Sequence, residues 1–429
     1  MLRWRPALLV LLAASSLGAW GASAATPTIF TNTLSVQALA YYAGRVYVAS
    51  TGGVEEYDER SLARRRFFTT NDGLPSATIR ALLVEGGVVF AVAEGTRCAL
   101  SGAAFRCSPG AALPPESPTM PEIFQGTRVT ARLTVNGREW VGTAEKGLWL
   151  RSKHSRRLTL GGDVCGNHVM AMAEFHGQPW LGTFDEGMCR YDGQRFVAVR
   201  TPFRMVNDVV VAGESLYVAT TVGLFRSGDG QRFDKVALFD TRGVNDLAVD
   251  GDTLWATSTA TLWRIPVGRR GLPKGFWTPG GTNSLQAVDA KDGHVWLATE
   301  DRGLLRMRGK TFEVFDRAAG LPSSWVLDVA VDGEGGVFGA TLRDGLVHVD
   351  KDGRITKVVG LPDPWLLHIS QGSKGVWVGT QGGVARVIEG KSSSLSGLPN
   401  PCVHAVLEMG MDLWVATEQG LARYALADL

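Results

Sequence analysis

Short apolar stretches alternate with polar turns along most of this chain, and they do so on a fixed beat. An aromatic residue, two small or apolar residues and a Thr return at intervals: WVGT at 140–143, WLGT at 180–183, WLAT at 296–299, WVGT at 377–380 and WVAT at 414–417. YVAS at 47–50, YVAT at 217–220, LWAT at 254–257 and FGAT at 338–341 are variants, and FAVA at 90–93 is the weakest copy. An apolar stretch precedes each copy. These begin near Val36, Ile79, Val129, Val169, Val206, Val244, Leu285, Val326, Leu366 and Val403, which is a step of about 41 residues. A polar loop then leads to Gly and an apolar residue, as at Gly147-Leu148, Gly187-Met188 and Gly345-Leu346. A last stretch follows, and several copies close on Gly-Leu-Pro, as at 320–322 and 360–362.

Stretches of five to seven residues bounded by Gly predict strands, and no helical period is sustained. Four short antiparallel strands in about 40 residues make one propeller blade. The chain is therefore expected to be an all-β propeller of about ten four-stranded blades over 25–429. In the tetrad, Trp140 and Gly142 share one strand face, because side chains alternate. A large ring beside a missing side chain suits close approach of the next blade, so these aromatics are read as core. The tenth copy lacks its fourth strand, and the segment 27–33 looks like a fourth strand without a blade. Pairing the two would close one ring and remove its edges. Two five-bladed rings or an irregular ring are the alternatives. The segment Pro109–Gly126 breaks the pattern with five prolines and is expected to be an insertion, with a partner-binding arm as its sharper reading.

Composition changes the picture at three points. Residues 1–24 combine Arg3 and Arg5, an apolar run from Ala7 to Leu17 and a small-x-small pattern at Ala22-Ser23-Ala24. They predict a cleaved signal peptide and a periplasmic or secreted protein, with an uncleaved anchor as the alternative. No later stretch is apolar and long enough to span a bilayer. The net charge of +2 and short basic clusters such as Arg64-Arg65-Arg66 give no basic stripe, so no nucleic-acid partner is expected. An oxidising compartment allows disulfides among five cysteines. Cys98 with Cys107 across a hairpin, and Cys165 with Cys189, are the expected pairs, which leaves Cys402.

The order Val-x-x-[Leu/Val]-x-x-Asp-Gly-x-x-Trp-[Val/Leu]-[Gly/Ala]-Thr, then Gly-Leu, then Gly-Leu-Pro, resembles the two-component-regulator propeller repeat. The resemblance is strongest over 285–425 and weakest over 79–128. It implies a ligand-sensing module of the kind found in periplasmic sensor regions, here in a stand-alone exported form. The chain shows no kinase-like C-terminus, so signalling would need a separate membrane partner.

In such a fold the residues before each innermost strand share one face with the loops between strands two and three. The first set is Arg128, His168, Met205, Trp325, Trp365 and Cys402; the second includes Asp185, Glu186, Asp301, Arg302, Arg343 and Asp344. Trp325 and Trp365 hold the same repeat position, where they either pack under the Gly-Leu-Pro loops or form an aromatic platform for a small molecule, glycan or peptide, or for an envelope protein. Asp208, Asp246 and Asp328 recur at the third position of the innermost strand, where they either line the channel or bond backbone groups. No nucleophile elbow or zinc-helix motif occurs, and neither cofactor nor metal is expected. A binding module is the leading reading. A glycoside hydrolase or lyase, using for instance Asp185 with Asp344, is the alternative.

Overall fold

A computed structural model describes residues 25–93, 95–109, 122–158, 163–239, 242–268, 272–278 and 284–429. The expected signal peptide, most of the Pro-rich insertion and Arg269-Arg270 lie outside the described residues. Those residues form ten antiparallel sheets and no α-helix. The leading strands, in chain order, are Val36–Tyr42, Ala81–Glu85, Thr127–Val135, Val169–Phe175, Val206–Ala212, Asp246–Asp250, Leu285–Lys291, Val326–Val331, Leu366–Gln371 and Val403–Met409. Each leads a meander of four strands. The third sheet gains a fifth, Ile123–Phe124. The tenth takes its fourth strand from the other end of the chain, where Thr28–Phe30 pairs with Gly420–Ala425.

The fourth to tenth sheets follow one another face to face through their leading strands, and the tenth returns to lie against the fourth. The first three do not continue that succession. The first sheet lies between the second and the third. Its Val36, Val46, Val48 and Tyr57 meet Trp140 and Leu148 of the third. Its other face, with Tyr47, Ala49 and Phe68, meets Leu82, Ala91 and Phe105 of the second. Both of its faces are thus taken. The tenth sheet's free face is taken as well, by Leu181, Cys189 and Phe196 of the fourth packing on Trp414 and Phe30. The arrangement differs in this respect from the single ring of ten expected from the repeats.

The tetrad aromatics are core: Trp140, Trp296 and Trp377 are fully buried. The tetrad Thr closes the next turn. In the fourth sheet Thr183 Oγ1 donates to the Gly187 carbonyl at 2.9 Å and accepts from Glu186 N at 3.0 Å, and Gly187 supplies the positive φ that the turn needs. In the sixth sheet the tetrad runs one residue later than expected, as Trp255-Ala256-Thr257-Ser258. Thr257 pairs with Asp246 there, as Ala219 pairs with Asp208 in the fifth.

The third tetrad position sets how closely two sheets approach. A Cβ on Gly182 would overlap the Val206 side chain of the fifth sheet, whereas Ala298 and Ala416 fill the same position elsewhere and are fully buried. Gly182→Ala is expected to destabilise the protein by about 1–3 kcal/mol through overpacking against a stiff β-branched neighbour. Urea denaturation checks this, and an unchanged midpoint would refute it.

Candidate functional site

The seven leading strands from 169 to 409 surround one cavity of about 630 Å³, to which each contributes, among them Met170, Asn207, Asp246, Gln286, Asp328, His368 and His404. A leading strand is the inner edge of its sheet, so half its backbone groups have no ladder partner. The cavity acids supply acceptors across the gaps. Asp208 Oδ2 accepts from Leu247 N at 3.1 Å, and Asp246 Oδ2 from Val288 N at 2.7 Å. Asp289 Oδ2 accepts from Val331 N and Asp328 Oδ2 from Ile369 N, both at 2.7 Å. Four consecutive junctions are stapled in this way. At two of them an Asn one residue earlier holds the facing carbonyl: Asn207 Nδ2 donates to Val244 O and Asn245 Nδ2 to Leu285 O, both at 2.7 Å. These carboxylates therefore line the cavity and also bond backbone groups. Asp289 was not foreseen, because it stands fifth in its strand and not third.

Burial sets the protonation of this cavity. It pushes Asp289 up to about 6 against the pull of the Val331 and Ala290 N–H groups. Burial and the charges of Asp208 and Asp328 raise Asp246 well above the usual carboxylate range. Burial alone would lower His368, but Asp328 at 2.9 Å outweighs it and raises its pKa. At the junction of the tenth and fourth sheets His404 Nε2 lies 3.2 Å from His168 Nε2. Burial, with His168 and His368 adding to it, pulls His404 down to about 4. Phe184 stacks on His168. The Cys402 thiol, 3.7 Å from His404 Nε2, is pushed up to about 11 by burial and by Glu418, which keeps it protonated and a poor nucleophile. Among the described residues no group of three His, Cys, Asp or Glu is arranged to hold a metal ion.

The two predicted loop sets do meet. Leu342 N donates to Trp325 O, Gln381 N to Trp365 O, and Phe184 N to His168 O, all at 3.0–3.1 Å. Trp325, 40% exposed, lines a cleft of about 410 Å³ with Glu300, Arg317, Arg343 and Asp344. The Arg343 guanidinium lies over the Trp365 ring, 4.4 Å from its centre, so the two tryptophans flank Arg343. Asp301 and Arg302 belong to the adjoining loop of the seventh sheet, where Arg302 N bonds Thr299 Oγ1. Asp185, Glu186 and His168 belong to the fourth sheet. Burial and the Asp185 charge raise the Glu186 pKa. The Asp185–Asp344 pair is split between the fourth and eighth sheets, which are not neighbours. Arg128 lies on the leading strand of the third sheet, apart from the other site residues. Cys98 is bonded to Cys107, and Cys165 to Cys189.

No protein-family model and no curated protein matches this chain. Among solved structures it is similar to the extracellular domain of a hybrid two-component system from B. thetaiotaomicron, at 14% identity and a TM-score of 0.51 over 89% of this chain and 60% of that one. It is also similar to PorZ, a bacterial surface component of the type-IX secretion system of Porphyromonas gingivalis, at 18% identity and a TM-score of 0.55 over 91% of this chain and 62% of that one. The chain thus spans about three fifths of these two structures. The WD40 propeller domain of Doa1 is matched over 92% of its length and 60% of this chain, at 14% identity and a TM-score of 0.52. These likenesses show the fold alone, that of a β-propeller. Among the described residues no helix is long and apolar enough to cross a membrane.

Proposed function

We propose that this chain is an exported, non-catalytic binding module, a ligand-sensing or protein-interaction propeller. Its fourth to tenth sheets form a ring, and its first three form a stacked annex. The ligand face is the loop face, centred on Trp325, Arg343 and Trp365, with Asp344 and the Asp301-Arg302 loop at its edge. The observation that carries this reading is the division of labour between the two cavities. The central acids are bound to backbone amides, whereas the peripheral cleft offers an exposed indole and a guanidinium already held in place by a second indole. An exposed ring beside a few convergent polar groups is a pattern that small-molecule sites use. Two disulfides suit an oxidising compartment, which supports a periplasmic or secreted location.

The test is the double variant Trp325→Ala, Trp365→Ala, titrated against a panel of oligosaccharides. Binding is expected to weaken more than tenfold while the unfolding transition stays close to that of the parent protein. Full binding by the double variant would remove the site. Turnover of any panel member would favour the enzyme reading.

A further inference from the structure

We infer that the Trp325 cleft takes a carboxylate-bearing sugar, a uronic acid within a glycan. This inference rests on the binding-face reading above and names the ligand class for that site. Its basis is the set of charged side chains that share the cleft without pairing. Elsewhere in the molecule Arg306 pairs with Glu313 at 2.7 Å and Arg66 with Glu56 at 2.5 Å. In the cleft, Arg317, Arg343, Glu300 and Asp344 line one space of about 410 Å³. Among the described residues their side chains have no hydrogen-bond or ion-pair partner. Only the Arg343 guanidinium is engaged, and by a ring face, which leaves its N–H fork free.

Two cations and two anions that share a cleft without pairing suit a ligand carrying both donors and a negative charge. Sugar hydroxyls can donate to Glu300 and Asp344, both half-buried. The exposed face of Trp325 suits the apolar face of a pyranose ring. A carboxylate suits the guanidinium fork of Arg343, because Arg binds carboxylates in two parallel bonds. Stacking on Trp365 fixes that fork beforehand, which lowers the ordering cost of binding. Trp365 is thus a positioning residue, and Arg343 reads the charge.

Calorimetric titration of the full chain tests this, with galacturonate and glucuronate oligosaccharides, their neutral galactose and glucose counterparts, and an oligoglutamate peptide as probes. The uronates are expected to bind at least tenfold more tightly than the neutral sugars. Arg343→Gln should bring that ratio close to one. Trp365→Ala should reduce the ratio, and Arg343→Lys should restore it only partly. Equal binding of acidic and neutral sugars overturns the ligand class and spares the site. Binding of oligoglutamate without uronate overturns the class in favour of a peptide. A preference that survives Arg343→Gln overturns the role of Arg343. Absence of binding to every probe overturns the class and removes support for the face itself.

Discussion

Trp414→Ala is expected to lower the unfolding free energy by about 3–5 kcal/mol, the usual cost of emptying a large buried aromatic site. Trp414 is 2% exposed. Its ring lies 5.7 Å from Phe30, 5.6 Å from Tyr191 and 5.7 Å from Phe196. Phe30 belongs to the strand that the N-terminal segment lends to the tenth sheet, and the other two belong to the fourth. One indole therefore seals three parts of the chain that meet only where the last sheet returns to the fourth. Its Nε1 has no hydrogen-bond partner, so the loss is one of packing and not of a polar bond. Trp414→Phe should recover more than half of it. Denaturant unfolding followed by circular dichroism gives the number. A loss under about 1 kcal/mol would mean that the tenth and fourth sheets are not held by this contact.

That junction also marks the limit of what the repeat pattern can tell. The beat of aromatic, small residue and Thr reports that each sheet is apolar on both faces, and it locates the strands. The lone segment before Val36, together with the incomplete tenth copy, foretells the pairing of Thr28–Phe30 with Gly420–Ala425. The pattern does not say which face meets which. The first sheet carries the same signals as the fifth, yet its neighbours are the second and third. Val36 meets Gly142 just as Val206 meets Gly182 and Val403 meets Gly379, so this repeated fit does not name the partner sheet. The sixth tetrad is off by one because Leu254-Trp255-Ala256-Thr257 imitates the motif one residue early, whereas by pairing Trp255 stands where Tyr217 does in the fifth sheet.

The candidate site's geometry was legible in the same partial way. Equivalent repeat positions fall close together on neighbouring sheets, so Trp325 and Trp365 stand on neighbouring sheets, and Arg343 lies over the Trp365 ring. Arg128 holds an equivalent position too, but its sheet lies outside the succession of seven. The His168–His404 contact was hidden because the two residues stand at different repeat positions, one before its leading strand and the other second within it. Only the return of the tenth sheet to the fourth brings them together.

Lowering the pH from 6.5 to 4 is expected to cost the parent protein about 3 kcal/mol more stability than it costs His404→Gln. The unfolded imidazole titrates near 6.5, and the folded one at about 4. Across that window the unfolded chain binds the extra proton and the folded one does not. Stability held above pH 6.5 is thus lost as pH falls towards 4, at about 1.4 kcal/mol per pH unit. The buried carboxyls act with the opposite sign. Asp289, raised to about 6, makes the folded state the better proton acceptor between its unfolded pKa near 3.9 and pH 6, so its contribution grows on acidification. Both proteins share that contribution, and it cancels in their difference. His168 faces His404 at 3.2 Å, with Cys402 beside it and Glu418 near both His168 and the thiol. His168 is itself pulled down by burial, so in the variant it keeps a smaller share of the same dependence. Paired denaturation curves at pH 7, 5.5 and 4 check the expectation. Parallel pH profiles for the two proteins would show that His404 is not held neutral at the closing junction, and that the fourth and tenth sheets meet there more loosely than the 3.2 Å contact requires.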